Sequence, residues 1–128
     1  MHAAVVVFPG SNCDRDLAVA FKAAGAKVSM VWHKDSELPQ GVDIVGIPGG
    51  FSYGDALGAG RLLGLDLVGW FGDQLAEAVA RSMPVIGICN GFQALVRAGL
   101  LPGGPTKAAL VENNSGRFEC RWVSLAPA

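Results

Sequence analysis

The sequence predicts an α/β domain in three layers, a flavodoxin-like and mostly parallel sheet with helices on both faces. Three observations predict it. Short apolar runs each stop at Gly, Pro or a polar loop, segments of helical period lie between them, and 128 residues with 51% hydrophobic content supply one core but not two. Such alternation argues for parallel pairing, because each parallel strand needs a crossover and right-handed crossovers cover both sides of the sheet.

The first strand is read from Ala3 to Phe8, a nearly unbroken apolar run ended by Pro9-Gly10, as expected of a strand buried on both faces. Ser11, Asn12 and Asp14 then offer helix caps, and Leu17, Ala20, Phe21 and Ala24 recur at helical spacing until Gly25. Lys27 to Trp32, Asp43 to Ile47 and Pro84 to Ile88 are the second, third and fourth strands. Before the fourth, Leu67, Val68, Trp70, Phe71, Leu75, Ala78 and Val79 are read as one helical face running to about Ser82. The Gly/Ala/Leu stretch that precedes it, from Ala56 to Gly69, gives no clear assignment. A helix is expected over Gly91 to Ala98. Beyond it, Ala108 to Val111 and Arg117 to Leu125 read as extended runs around a hairpin-like turn at Asn113-Asn114-Ser115-Gly116.

A net charge of -1 without a basic cluster argues against a nucleic-acid partner. No apolar run approaches the roughly 20 residues of a spanning helix, and the chain opens directly on a strand-like segment, so no membrane partner and a soluble, cytosolic protein are expected. Cys13, Cys89 and Cys120 are odd in number and widely spaced, which points to free thiols rather than a disulfide framework or a zinc knuckle, and no metal site is expected.

The segment Gly87-Ile88-Cys89-Asn90-Gly91, at a strand-to-helix junction, is the cysteine form of a nucleophile elbow. Small neighbours let the backbone fold sharply and push the Cys89 side chain into open space, at the positive end of a helix where a nucleophilic sulfur is favoured. Ile47-Pro48-Gly49-Gly50-Phe51-Ser52-Tyr53-Gly54-Asp55 follows the third strand, whose loop would lie beside the elbow. The amides of Gly50 and Asn90 together would then make an oxyanion hole. Pro9 to Asp14 matches neither the Walker nor the dinucleotide spacing, and its two acidic neighbours would repel phosphate, so helix capping is the expected role. Of the two histidines, His2 reads as a solvated end residue and His33 as a loop residue, the second strand lying beside the first and away from the fourth.

Taken in order, FPGSNCDRD, VWH, IPGGFSYGD, GICNGFQ and NSGRFECRWV resemble the glutaminase subunit or domain of phosphoribosylformylglycinamidine synthase, a class I glutamine amidotransferase, across essentially the whole chain. GFSYGD with GICNGFQ is specific to that branch, whereas Gly-x-Cys-x-Gly alone fits many amidotransferases and cysteine hydrolases. The resemblance implies that residues 1–128 are the N-terminal part of a type 1 glutamine amidotransferase domain, with the sheet incomplete at its C-terminal end. It implies Cys89 as the nucleophile that forms a glutamyl thioester, the backbone of Gly50 and Asn90 as oxyanion donors, and Phe51, Gln93 and Asn113 as glutamine-binding residues. It further implies L-glutamine as substrate, and as partners a synthetase subunit, which uses ATP and Mg to convert formylglycinamide ribonucleotide to the amidine, and a small accessory subunit. No cofactor is implied for this chain.

Two departures from the family pattern stand out. The family's His-Pro-Glu-like motif lies far downstream of the elbow and has no counterpart before Ala128, so a truncated domain of reduced activity is expected; and Gly58 stands where the family carries Arg in a Leu-Arg-Ala-Gly run. Two other readings remain: a non-catalytic interaction module that keeps the docking surface, and a cysteine hydrolase or redox protein of related fold in which Asp14 tunes the thiol.

Overall fold

A computed structural model describes residues 1–103, 107–124 and 126. Four strands form one parallel sheet in the order β2-β1-β3-β4: β1 is His2–Val7, β2 Lys27–Trp32, β3 Ile44–Ile47 and β4 Val85–Gly87. The helices are α1 (Asp14–Ala23), α2 (Arg61–Ala80) and α3 (Asn90–Arg97). Every expected strand and helix up to Ala98 is present, with ends moved by a few residues.

The alternation of side chains along β1 divides the core in two. Ala4, Val6 and Phe8, with Val31, Val45 and Ile47, meet Leu63, Leu67, Phe71 and Leu75 of α2 and Ala94 and Leu95 of α3. On the opposite face Val5, with Val7 and Val28 beside it, meets Leu17, Ala18 and Phe21 of α1. Contact there is close: a β-carbon on Gly46 of β3 would lie 2.8 Å from both Leu17 Cδ2 and Phe21 Cε2.

Several expectations about faces and ends are corrected. Ala20 and Ala24 of the α1 segment are exposed, and Ala18 is buried instead, since a stripe of period 3.6 through Leu17 and Phe21 passes through position 18. The caps read at Ser11, Asn12 and Asp14 do not form: Cys13 precedes α1 without a side-chain cap bond, Ser11 Oγ accepts from Phe8 N–H at 3.2 Å, and Asp14 Oδ1 accepts from Arg15 N–H at 2.7 Å. In α2 the buried line is Leu63, Leu67, Phe71, Leu75 and Ala78, whereas Val68, Trp70 and Val79 are exposed. The Gly-rich stretch supplies the N-terminal turns of α2 from Arg61.

The extended runs after α3 are not strands. Residues 107–124 have no helix or strand and are almost entirely exposed, Phe118 and Trp122 included. Only the turn forms, with Gly116 N–H donating to Asn113 O at 2.8 Å and Asn113 Nδ2 to Arg117 O at 2.8 Å. β-propensity without a partner strand or a core face does not hold a strand. The last residue of the second run, Leu125, lies outside the described residues.

Candidate active site

The C-terminal ends of β1, β3 and β4 converge, and the reversal of strand order between β1 and β3 opens the crevice in which ligands of such sheets bind. Backbone hydrogen bonds join the loops there: Phe51 N–H donates to Gly10 O (3.0 Å), Tyr53 N–H to Pro9 O (2.8 Å) and Cys13 N–H to Gly49 O (3.2 Å), while Ile88 N–H donates to Ile47 O (3.1 Å).

Cys89 sits between β4 and α3 with φ 52° and ψ -109°, the left-handed backbone of an elbow, and its side chain is exposed. The flanking glycines are there for close approach. A β-carbon on Gly91 would collide with the carbonyl oxygen of Ile47, and one on Gly87 would lie 2.6 Å from Leu95 Cδ1 and 2.7 Å from Gly91 O. A side chain at Gly91 would push the turn off β3, and one at Gly87 would push α3 away from β4.

Asn90, 1% exposed, fastens the elbow to the loop after β3. Its Oδ1 accepts from Ser52 N–H at 3.1 Å, and its Nδ2 donates to Asp55 Oδ1 at 2.9 Å and to Gln93 Oε1 at 3.3 Å. Asp55 Oδ1 also accepts from Gly60 N–H at 3.3 Å, and Ser52 Oγ lies 3.3 Å from Ser11 Oγ. These bonds hold a loop in which Tyr53, Asp55 and Leu57 all have positive φ. Such backbone persists only where its surroundings over-determine it. The sequence assigned Asn90 through its backbone alone and left its side chain, Ser52 and Asp55 unassigned; the signal available was the short run Ser52 to Asp55, one residue after the double glycine.

Gly50, with φ 129°, packs so tightly on the Gly10–Asn12 loop that a β-carbon would strike Asn12 N. Among the described residues the amides of Gly50 and Asn90 donate to no acceptor. Gln93 and Asn113 line one groove of about 720 Å³ together with Arg97, Arg117 and Phe118. Phe51 does not join them; it is 64% exposed at the start of the 3-10 turn Ser52–Asp55. Beside Gly58, Arg97 Nε donates to Ala59 O at 2.6 Å, so α3 ties down this loop.

Neither histidine reaches the sulfur. His2 lies at the start of β1, the end of the sheet opposite the elbow, with Nε2 2.8 Å from Ser29 Oγ. His33 follows β2, and β2 and β4 are the two edges of the sheet, about 14 Å apart at normal strand spacing. The expectation of a loop histidine is corrected: His33 is 5% exposed, packed among Phe8, Trp32, Tyr53 and Trp70, and its ring nitrogens have no hydrogen-bond partner among the described residues. Burial lowers its pKa below 6.5, outweighing the pull of the Asp66 carboxylate 3.7 Å away. Asp66 also accepts a short hydrogen bond from Tyr53 Oη, whose pKa is raised above 10 by burial and then by that bond. Asp14, read as a tuner of Cys89, lines a groove between α1 and β2 with Arg15, Lys22 and Trp32. Among the described residues no group of three His, Cys, Asp or Glu side chains is placed to hold a metal ion, and no helix is long and apolar enough to cross a membrane.

A parallel α/β sheet bearing a cysteine elbow against a glycine-paired loop describes a class of domain, and the chain belongs to the family of CobB/CobQ-like glutamine amidotransferase domains, matched over residues 1–128. Within that family it is 57% identical over 125 residues to phosphoribosylformylglycinamidine synthase subunit PurQ of Roseobacter denitrificans, covering 98% of this chain and 53% of that protein. It is 52% identical over 126 residues to the PurQ subunit of Zymomonas mobilis, covering 98% and 53%. The structure of PurLQS from Thermotoga maritima contains a chain that superposes with a TM-score of 0.77 at 40% identity, over 95% of this chain and 53% of that one. The chain thus spans about half the length of the curated relatives it matches.

Proposed function

We propose that this chain contributes the nucleophilic half of a glutaminase that supplies ammonia for conversion of formylglycinamide ribonucleotide to formylglycinamidine ribonucleotide in purine biosynthesis. The observation that carries the proposal is Cys89, exposed at a left-handed elbow and locked through Asn90 to the loop after β3. Its sulfur attacks the side-chain amide carbon of glutamine. The amides of Gly50 and Asn90 hold the oxyanion, ammonia leaves, and water releases glutamate from the thioester. Gln93 and Asn113, which share a groove, bind the glutamine together with Phe51, which projects from the loop after β3 outside that groove.

Since both imidazoles of this sequence face elsewhere, the proton transfers fall to a base supplied by another segment or another chain. A synthetase subunit takes the ammonia and uses ATP and Mg, and a small accessory subunit joins the two; no cofactor is assigned to this chain, and the complex works in the cytoplasm. The names of the PurQ and PurLQS relatives support this assignment of partners.

The test is glutamate release from L-glutamine, measured with the synthetase and accessory subunits, ATP and formylglycinamide ribonucleotide present. With the segment or chain that supplies the base also present, Cys89→Ser is expected to lower turnover by about 10⁴ to 10⁶. Turnover surviving that change would overturn the proposal, and stable assembly with the synthetase without any reactivity at Cys89 would favour a non-catalytic docking module.

A further inference from the structure

Cys13 ends the loop after β1 and Cys89 the turn after β4, two strands separated in the sheet only by β3. The loop after β3 draws them together. Cys13 N–H is bonded to Gly49 O at 3.2 Å, and the point that a β-carbon on Gly49 would occupy is 3.4 Å from Cys89 Cβ and 4.0 Å from Cys13 Cβ. Both thiols are free and exposed, and glycine at position 49 puts no side chain beside them, where the nearest atom is the Ile88 carbonyl oxygen at 3.3 Å from the same point. A disulfide needs its β-carbons roughly 3.5 to 4.5 Å apart; the distances of 3.4 and 4.0 Å place the two β-carbons no more than 7.4 Å apart, so a backbone movement of at most about 3 Å closes the gap and rotation about χ1 then brings the sulfurs together. Neither cysteine lies within a strand or helix, so the movement breaks no ladder.

We infer that Cys13 and Cys89 form a reversible oxidative modification site, with Cys13 as the resolving thiol for the elbow cysteine and hydrogen peroxide as the oxidant. The inference takes from the proposed function only the reactivity of the Cys89 sulfur. The Cys89 thiolate attacks one peroxide oxygen. The S–O bond forms as the O–O bond breaks, sulfur is oxidised, and hydroxide leaves and is protonated to water. Cys13 thiolate then attacks the sulfenic sulfur, the S–S bond forms, and the S–O bond breaks with loss of a second water. Two thiols and one peroxide thus give one disulfide and two waters. An external dithiol restores both thiols by exchange. While the bond lasts, Cys89 cannot attack a substrate, and it is shielded from irreversible oxidation to sulfinic and sulfonic acid.

The experiment treats the full chain with hydrogen peroxide, alkylates the remaining thiols and maps the digest by mass spectrometry, before and after dithiothreitol. Expected are a Cys13–Cys89 linked peptide about 2 Da lighter than its parts, an alkylated Cys120, and full reversal by dithiothreitol. Cys13→Ser should divert Cys89 to sulfinic and sulfonic acid that the dithiol does not reverse. A link from Cys89 to Cys120, absence of any link while Cys89 over-oxidises, or unchanged reversibility in Cys13→Ser would each overturn the inference; the mapping of the unmutated chain decides even if that variant folds poorly. A Cys13–Cys89 link in a protein whose Cys89 takes up no electrophilic glutamine analogue would leave this inference standing and remove the proposed function.

Discussion

At the scale of single residues, Asn90 makes three hydrogen bonds, two of them running from the elbow to a loop 35 to 38 positions away in sequence and the third to Gln93 within α3. Asn90→Ala leaves the buried amide of Ser52 without its acceptor and is expected to cost about 1 to 3 kcal/mol, read as a shift in the urea midpoint at constant slope. A loss below a few tenths would mean that the loop holds itself. Gly91→Ala forces a methyl against the Ile47 carbonyl, and thermal unfolding should show about 1 to 3 kcal/mol of destabilisation together with slower alkylation of Cys89. Cys89 was legible in the sequence because its two flanking glycines make sense only at a sharp turn. The side chains of Asn90, Ser52 and Asp55 were not, since a polar residue in a loop gives no sign of which distant partner it meets.

Among the elements, α2 shows most plainly where periodicity stops being informative. Its sequence is apolar nearly all round, so several stripes are possible, and only the sheet decides that Leu63, Leu67, Phe71 and Leu75 face inward. Phe71→Ala should therefore cost about 3 to 5 kcal/mol, whereas Val68→Ala, one turn from it and exposed, should change stability by no more than about 0.5 kcal/mol in the same denaturant titration. Equal effects would show that the stripe is wrongly placed. β1 to β4 were readable because continuous apolar runs between breakers are what doubly covered parallel strands require. The segment 107–124 carries the same β-branched and aromatic signal but lies exposed beside α2 and α3 rather than in the sheet. What the sequence displayed there was propensity alone, and propensity is satisfied only by a partner edge.

For the whole molecule, the order β2-β1-β3-β4 sets the elbow at one edge and His33 at the other, and it buries that histidine under α2 and the Ser52–Asp55 turn. Its lowered pKa makes the unfolded chain bind more protons than the folded one below about pH 6.5. Stability attributable to this group is therefore complete above that pH and declines as the pH falls toward the folded value. Urea titrations across that range should show the decline, and His33→Phe should flatten it; an unchanged pH slope in the variant would assign the effect to other groups. The same strand order makes the most direct test of the account possible, because it leaves three free thiols in three environments within one chain. The measurement is the site of covalent attachment of an electrophilic glutamine analogue, mapped by mass spectrometry with Cys13, Cys89 and Cys120 all in competition. The account predicts an adduct at Cys89 alone, suppressed by excess L-glutamine; equal labelling of the three thiols, or labelling indifferent to glutamine, would contradict it.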